Sequence, residues 1–218
     1  MVAFPVIVLL LWCMSVMVMI AVLTPVRLEW PIMRRKAALF LYGAAYVVLS
    51  RDPAFQLPPD PGRSTAPVVA KKRIVFVRHG ESAWNECFNR PFGLSAFVRV
   101  FLAILRELSL LLCLDSVFID SPLSSEGLEQ ARLVEQLLDG GPGDELRRLC
   151  ENAVFVSSPL RRAAATATIG FARYFGAGRP LWILSCLQEI SRNVDTLALS
   201  APYAAPPLPS VEMAGKAM

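Results

Sequence analysis

An uncharged run at the N-terminus constrains this chain of 218 residues more than any other feature. No charged side chain occurs from Met1 to Val26, and the apolar stretch over positions 2–23 is interrupted only by Pro5 and Ser15. A helix over that stretch would be roughly 33 Å long, enough to cross a hydrocarbon core of about 30 Å. The run therefore predicts a retained transmembrane anchor over residues 1–26.

Two other interpretations of this run are a cleaved signal peptide and a buried core helix. A signal peptide starts with basic residues and carries a shorter apolar core of roughly 7–15 residues. Here no Lys or Arg precedes the run, and the run is longer. We therefore prefer the anchor, which predicts a membrane localisation.

A basic flank and a second apolar run follow the predicted anchor. The flank carries one acid, Glu29, and four bases, Arg27, Arg34, Arg35 and Lys36, which the positive-inside rule would place in the cytosol. The run Ala37–Ser50 is short for a membrane span, so it predicts a re-entrant or interfacial helix, or burial against the domain. The protein is then single-pass or has a second interfacial segment. Five prolines over positions 51–70 predict a linker, which completes the 27–70 region.

Composition excludes several classes of protein. With 55% hydrophobic residues the chain is not disordered, and its net charge of +4 is too small to favour nucleic acid as a partner. Five scattered cysteines without a C-x-x-C pair, together with a single histidine, predict neither a disulfide framework nor a metal site. No cofactor is expected.

The single histidine follows a predicted buried strand. Four β-branched or aromatic residues, Ile74–Val77, precede Arg78, His79 and Gly80, and the glycine predicts a turn at the end of that strand. In open α/β sheets, ligands bind beyond the carboxyl ends of the strands. His79 is therefore a candidate functional residue.

Four motifs in sequence order give this chain a family resemblance. The stretch R-H-G-E-S-A-W-N at positions 78–85 resembles the signature of the histidine phosphatase (phosphoglycerate mutase-like) superfamily. Later segments resemble further elements of that family: Pro122–Ser124 with Gly127, Gln130 and Ala131; Ser157–Ala163 with Thr166 and Ala167; and Leu187–Ile190.

The residues between these motifs predict an α/β fold. Ser124 suits a helix N-cap, apolar residues then recur at helical spacing, and the glycines at 140–143 end that helix. The runs 153–156 and 181–184 predict two more strands. Strands alternating with helices predict a three-layer fold with a mostly parallel sheet and flanking helices, preceded by the anchor. The domain would span residues 71–200, followed by a Pro/Ala-rich tail at 201–218.

The resemblance implies phosphomonoester hydrolysis through a phosphohistidine, without a metal ion. In that reaction His79 would be the nucleophile and Glu189 the proton donor. Phosphoryl oxygens would be bound by Arg78 and Arg162, whose guanidinium groups make paired charge-assisted bonds. Asn85 and Gly80 would contact the substrate, a phosphorylated small molecule or lipid. Arg161, which does not match the motif, is expected to be a solvated helix residue.

An apolar insertion departs from the family pattern. The stretch Leu94–Phe118 is overwhelmingly apolar, with Arg99 and Arg106 on one predicted helix face and Glu107 beside them. It could be an interfacial helix whose arginines extend towards the headgroups, a lid over the site, or part of the core.

The second departure is the lack of a second histidine, which the family's mechanism uses. The resemblance thus predicts a C-terminally incomplete domain with weak activity or none. The alternative is a non-catalytic pseudoenzyme or truncated membrane protein that binds phosphorylated ligands or a partner protein.

Overall fold

A computed structural model describes residues 30–49, 72–91, 93–139, 143–189, 193–200 and 206. The predicted anchor at 1–26, the linker at 51–70 and all of the tail except residue 206 lie outside these ranges. Within them, no helix is both long and apolar enough to cross a membrane.

The second apolar run lies in helix α1, Trp30–Leu49. One face of this helix is buried through Met33, Lys36 and Phe40. Gly43 lies so close to Val194 that an added Cβ would be 2.7 Å from its Cγ2. Of the interpretations of this run, burial against the domain agrees with this packing.

The apolar insertion begins with helix α3, Leu94–Ser109, which follows the short helix α2, Ala83–Phe88. Ala103 and Ile104 of α3 join a core cluster with Phe40 of α1 and Trp84 of α2. Because α3 packs against both helices, one face of the insertion fills the core.

Helix α4 spans Ser125–Asp139, in agreement with the helix start and end predicted from the sequence. The hydroxyl of Ser124 accepts from the amide of Gly127 at 3.1 Å, which confirms the predicted N-cap. Ala131 and Leu138 are buried on the predicted apolar face. The helix ends immediately before the glycines at 140–143, where a helix end is expected.

The second half of the domain contains a small parallel sheet. Strands β1, Phe155–Ser157, and β2, Leu181–Ile183, pair with Val156 opposite Trp182. Helices α6, Arg161–Gly170, and α7, Ala172–Gly176, form the crossover that a parallel pair requires. Helix α5, Asp144–Glu151, precedes β1. Two short 3₁₀ helices, Ser185–Leu187 and Val194–Thr196, follow β2. This mixture of helices and parallel strands is compatible with the expected α/β fold.

The predicted first strand is not formed. Residues 74–77 have no strand assignment, and their apolar side chains are exposed, from 43% for Val77 to 89% for Phe76. A strand exists only where a neighbour completes its hydrogen-bond ladder. In the described ranges β1 and β2 pair only with each other, so the sheet has two strands and not the three expected.

Candidate active site

The loop that carries His79 is held between α4 and α6. The amide of Gly80 donates to Oγ1 of Thr166 at 3.1 Å, and that hydroxyl donates to the carbonyl of Arg162 at 2.8 Å. On the other side, a Cβ on Gly80 would lie 2.5 Å from the carbonyl oxygen of Gly127. Two glycines in contact thus let the loop lie directly against the start of α4.

The two ring nitrogens of His79 have different partners. Nδ1 lies 2.7 Å from the carbonyl oxygen of Gly80, which can only accept, so Nδ1 carries the proton. Nε2 lies 3.1 Å from Nε of Arg162, which can only donate, so Nε2 presents its lone pair. Burial lowers the pKa of His79 below its usual value of 6.5, despite the Gly80 bond, and Arg162 lowers this pKa further. A neutral imidazole whose Nε2 carries no proton is the form that attacks phosphorus, once the bond from Arg162 has been released.

Arg162 connects His79 to two carboxylates. Its side chain is 1% exposed, and its Nη2 donates to Glu189 Oε2 at 2.8 Å. Its Nη1 donates to the backbone carbonyl of Asp195 at 2.7 Å and lies 3.4 Å from Oδ2 of the same residue. All three nitrogens of the guanidinium group therefore have acceptors.

The two carboxylates differ in their surroundings. Glu189 is 53% exposed, so its ion pair with Arg162 is open to solvent. The Asp195 side chain is only 7% exposed, and its Oδ1 is buried without a hydrogen-bond partner. Burial raises the pKa of Asp195 to about 6, although the charge of Arg162 opposes that shift. Asp195 is therefore the carboxyl group that keeps its proton up to about pH 6.

Arg161 corrects one expectation. It is 5% exposed rather than solvated. Its guanidinium donates to the carbonyl of Asp120 at 2.8 Å, the carbonyl of Ser116 at 2.7 Å and the carboxylate of Asp115 at 2.5 Å. The motif assigned a site role to Arg162 and none to Arg161. Arg161 lies outside the site because it binds the preceding loop, not because it is solvated.

Arg78 and Asn85 are not part of this cluster. Arg78 is exposed and makes no hydrogen bond or ion pair with another residue in the described ranges. The side-chain oxygen Oδ1 of Asn85 accepts from the side-chain nitrogen Nδ2 of Asn89 at 2.9 Å. Of the predicted site residues, the fold brings together His79, Gly80, Arg162 and Glu189, and the roles of Arg78 and Asn85 stay predictions.

Three buried residues in or beside the site had no role assigned from sequence. Thr166 connects the His79 loop to α6. It follows Arg162 by four residues and so lies on the same helix face, and this spacing could have predicted its role. Asp195 has no such signal, because its burial beside Arg162 depends on the tertiary fold. Asp120 is buried, with φ of +49°, and its carboxylate accepts from the amides of Arg161 and Leu199.

The arrangement suits anion binding and nucleophilic attack. A neutral histidine, a buried arginine and two carboxyl groups supply a nucleophile, a positive charge and groups that can exchange protons. The described part of the chain holds no cluster of three or more His, Cys, Asp or Glu side chains that could bind a metal ion.

Comparison with known proteins agrees with the motifs. Residues 118–194, about a third of the chain, match the model of the histidine phosphatase superfamily (branch 1). The resemblance to this superfamily is therefore confirmed over that range, which contains Arg162 and Glu189, whereas His79 lies before it. No curated protein and no solved structure matches the chain significantly.

Proposed function

We propose that this chain is a membrane-tethered phosphatase-like protein in which His79 takes the phosphoryl group of a phosphomonoester. The family match suggests the phosphatase-like function. The observation that carries the proposal is the contact between Arg162 Nε and His79 Nε2 at 3.1 Å, together with the Nδ1 bond to Gly80. It combines a neutral nucleophile with a fixed positive charge.

The first step transfers the phosphoryl group to the protein. The Nε2 lone pair of His79 attacks phosphorus, an N–P bond forms, and the bond between phosphorus and the ester oxygen breaks. Glu189 leaves its ion pair with Arg162 as the substrate binds, takes up a proton from water and gives that proton to the departing alkoxide. In the second step water attacks the phosphohistidine, its proton returns to Glu189, and inorganic phosphate leaves.

Arg162 must change partners during the first step. In the resting site its Nε donates to the lone pair that attacks, so this bond has to break as the phosphoryl group arrives. The same N–H can then turn to a phosphoryl oxygen, where the charge of the transferred group develops. Arg78, exposed beside His79, is the second cation that reaches the phosphoryl oxygens in this proposal.

We expect slow hydrolysis of the phosphohistidine. The chain holds one histidine, so no second imidazole binds the phosphoryl group or assists water. Phosphohistidine should therefore form and then persist.

The test uses the full chain in lipid nanodiscs with p-nitrophenyl phosphate. We expect a burst of nitrophenol of about one equivalent and an acid-labile phosphoryl group on the protein. His79→Asn should abolish both, whereas Cys113→Ser, an exposed substitution, should change neither. Labelling that survives His79→Asn would disprove the nucleophile, and rapid phosphate release that requires His79 would disprove slow turnover.

A second candidate function is binding of phosphorylated ligands without turnover. It is favoured by the single histidine of the chain, because no second imidazole is present to assist hydrolysis after a phosphorylated ligand has bound near Arg162. Calorimetric binding of a phosphomonoester that leaves no phosphoryl label on His79 would favour this candidate over the enzyme.

The membrane tether is the third part of the proposal. It rests on the uncharged run at 1–26, which lies shortly before α1. We expect the full chain to remain in vesicles after alkaline carbonate extraction, and release by carbonate would contradict the tether.

A further inference from the structure

Helix α3 exposes a continuous apolar stripe. Val98, Phe101, Leu102 and Leu105 are 53%, 59%, 57% and 47% exposed. Their spacing of three, four and seven residues places them on one helix face. We call this set the α3 stripe. Apolar side chains clustered on one face mark an interaction surface, whereas single exposed ones do not.

The charges of α3 favour an anionic occupant of this surface. The helix has three charged residues, and the single acid, Glu107, is buried. Its carboxylate accepts from the hydroxyl of Ser116 at 2.9 Å and pairs with Lys36. Arg106 is exposed next to the stripe. Exposed charge on this helix is therefore only positive.

The position of α3 in the chain favours a lipid surface. Nζ of Lys36 in α1 donates to the carbonyl of Leu110, directly after α3, at 2.7 Å. Lys36 follows the end of the uncharged run by ten residues, which span at most about 36 Å. The C-terminal end of α3 therefore lies no more than about 36 Å of chain, plus the Lys36 side chain, from the end of the predicted tether. The family match begins at residue 118, so it does not account for this helix.

We propose that the α3 stripe docks on the surface of an anionic lipid bilayer, with Arg106 at the level of the headgroups. An amphipathic helix of this kind lies in the plane of the interface with its apolar side among the acyl chains. This docking would hold the His79 site close to the bilayer. It rests on the tether in the proposed function but not on the phosphoryl chemistry.

The test places a photoreactive side chain on the stripe. The full chain carrying Phe101→p-benzoylphenylalanine is reconstituted in vesicles of phosphatidylcholine and phosphatidylserine and irradiated. The matched control carries the same group at Leu133 of α4, which is 53% exposed on another helix. We expect phospholipid adducts at 101 in about tenfold higher yield than at 133.

Other outcomes would contradict the docking, and some of them would identify a different occupant of the stripe. Adducts at 101 with a peptide from residues 1–29, with a second copy of the chain or with another protein would overturn the proposal. So would equal lipid yields at 101 and 133. Chains that stay in the vesicles after carbonate extraction but form no lipid adduct at 101 would disprove the docking and leave the tether intact.

A second variant keeps the test independent of the photoreactive group. The double substitution Phe101→Ser and Leu102→Ser changes only exposed side chains, so the fold should persist. We expect Cys113, exposed just after α3, to react about tenfold faster with a charged maleimide in this variant. Exposed Cys186 is the internal control, and an unchanged Cys113 rate would contradict the docking.

Discussion

Arg161 and Arg162 are neighbours in the chain and both are buried, but their guanidinium groups lie in separate hydrogen-bond networks. Arg161 donates to the carbonyls of Ser116 and Asp120, whereas Arg162 donates to His79 and Glu189. One arginine therefore fixes the loop before α4, and the other forms the site.

The two arginines should respond differently to replacement by lysine. Lysine keeps the charge but not the planar fork of donors. Arg161→Lys should lower the free energy of unfolding by about 2 kcal/mol and leave the phosphohistidine yield per folded molecule unchanged. Arg162→Lys should slow phosphohistidine formation about 100-fold. Melting temperature and burst kinetics measure the two effects, and equal loss of activity in both variants would contradict the separation.

The tautomer of His79 can be observed directly, because the chain has one histidine. Nitrogen-15 NMR should show one imidazole with a protonated Nδ1 and an unprotonated Nε2 near neutral pH. Since burial lowers its pKa, the ring should gain its second proton only below pH 6.5. A proton on Nε2, or a titration midpoint above 6.5, would contradict the proposed nucleophile.

Glu189 should compete with phosphate for Arg162. Glu189→Gln removes the negative charge that is paired with Nη2 of Arg162. Inorganic phosphate should therefore bind up to about fivefold more tightly. Release of an alcohol with poor leaving ability should slow, because the proton donor is lost. Calorimetry and burst kinetics measure these changes. The control Asp139→Asn breaks an exposed ion pair with Arg173 and should alter neither.

Asp195 should make stability depend on pH. Its pKa is raised from 3.8 to about 6 in the folded chain, so the folded state binds this proton more strongly than the unfolded state does. The resulting stabilisation is fully present below pH about 4 and is lost as pH rises through about 6. It amounts to about 3 kcal/mol at most.

Asp195→Asn removes this titration. The difference in unfolding free energy between variant and parent should therefore shift in favour of the variant as pH rises from 4 to 7. Denaturant unfolding at several pH values measures this shift. A difference that does not change over this range would show that Asp195 titrates normally.

Gly127 should not tolerate a side chain. A Cβ there would lie 2.0 Å from the carbonyl oxygen of Glu81, which belongs to the His79 loop. Gly127→Ala should therefore displace that loop, lower the free energy of unfolding by about 2–3 kcal/mol and reduce phosphohistidine formation. Gly176→Ala is the control, because a Cβ at Gly176 meets nothing within 4 Å. Equal melting temperatures for the two variants would contradict the close approach.

Features that depend on neighbouring residues were predicted well. The Ser124 cap and the end of α4 before the glycines follow from hydrogen bonds and φ preferences within a few positions. β2 also falls within its predicted run. The prediction of a strand at 74–77 was wrong. A strand forms only beside a neighbouring strand, and the residues of the segment itself do not show whether one is present.

The sequence by itself determined the candidate nucleophile, the family resemblance and the motif arginine, because these depend on residue identity and spacing. Only the tertiary structure decided that Nε2 of His79 meets Arg162, that Arg161 is buried and that the pKa of Asp195 is raised to about 6. The Arg162 contact, the burial of Arg161 and the pKa of Asp195 are set by groups brought together from distant positions. His79 and Arg162 are 83 residues apart in the chain, and their contact exists only after α6 has packed against the His79 loop.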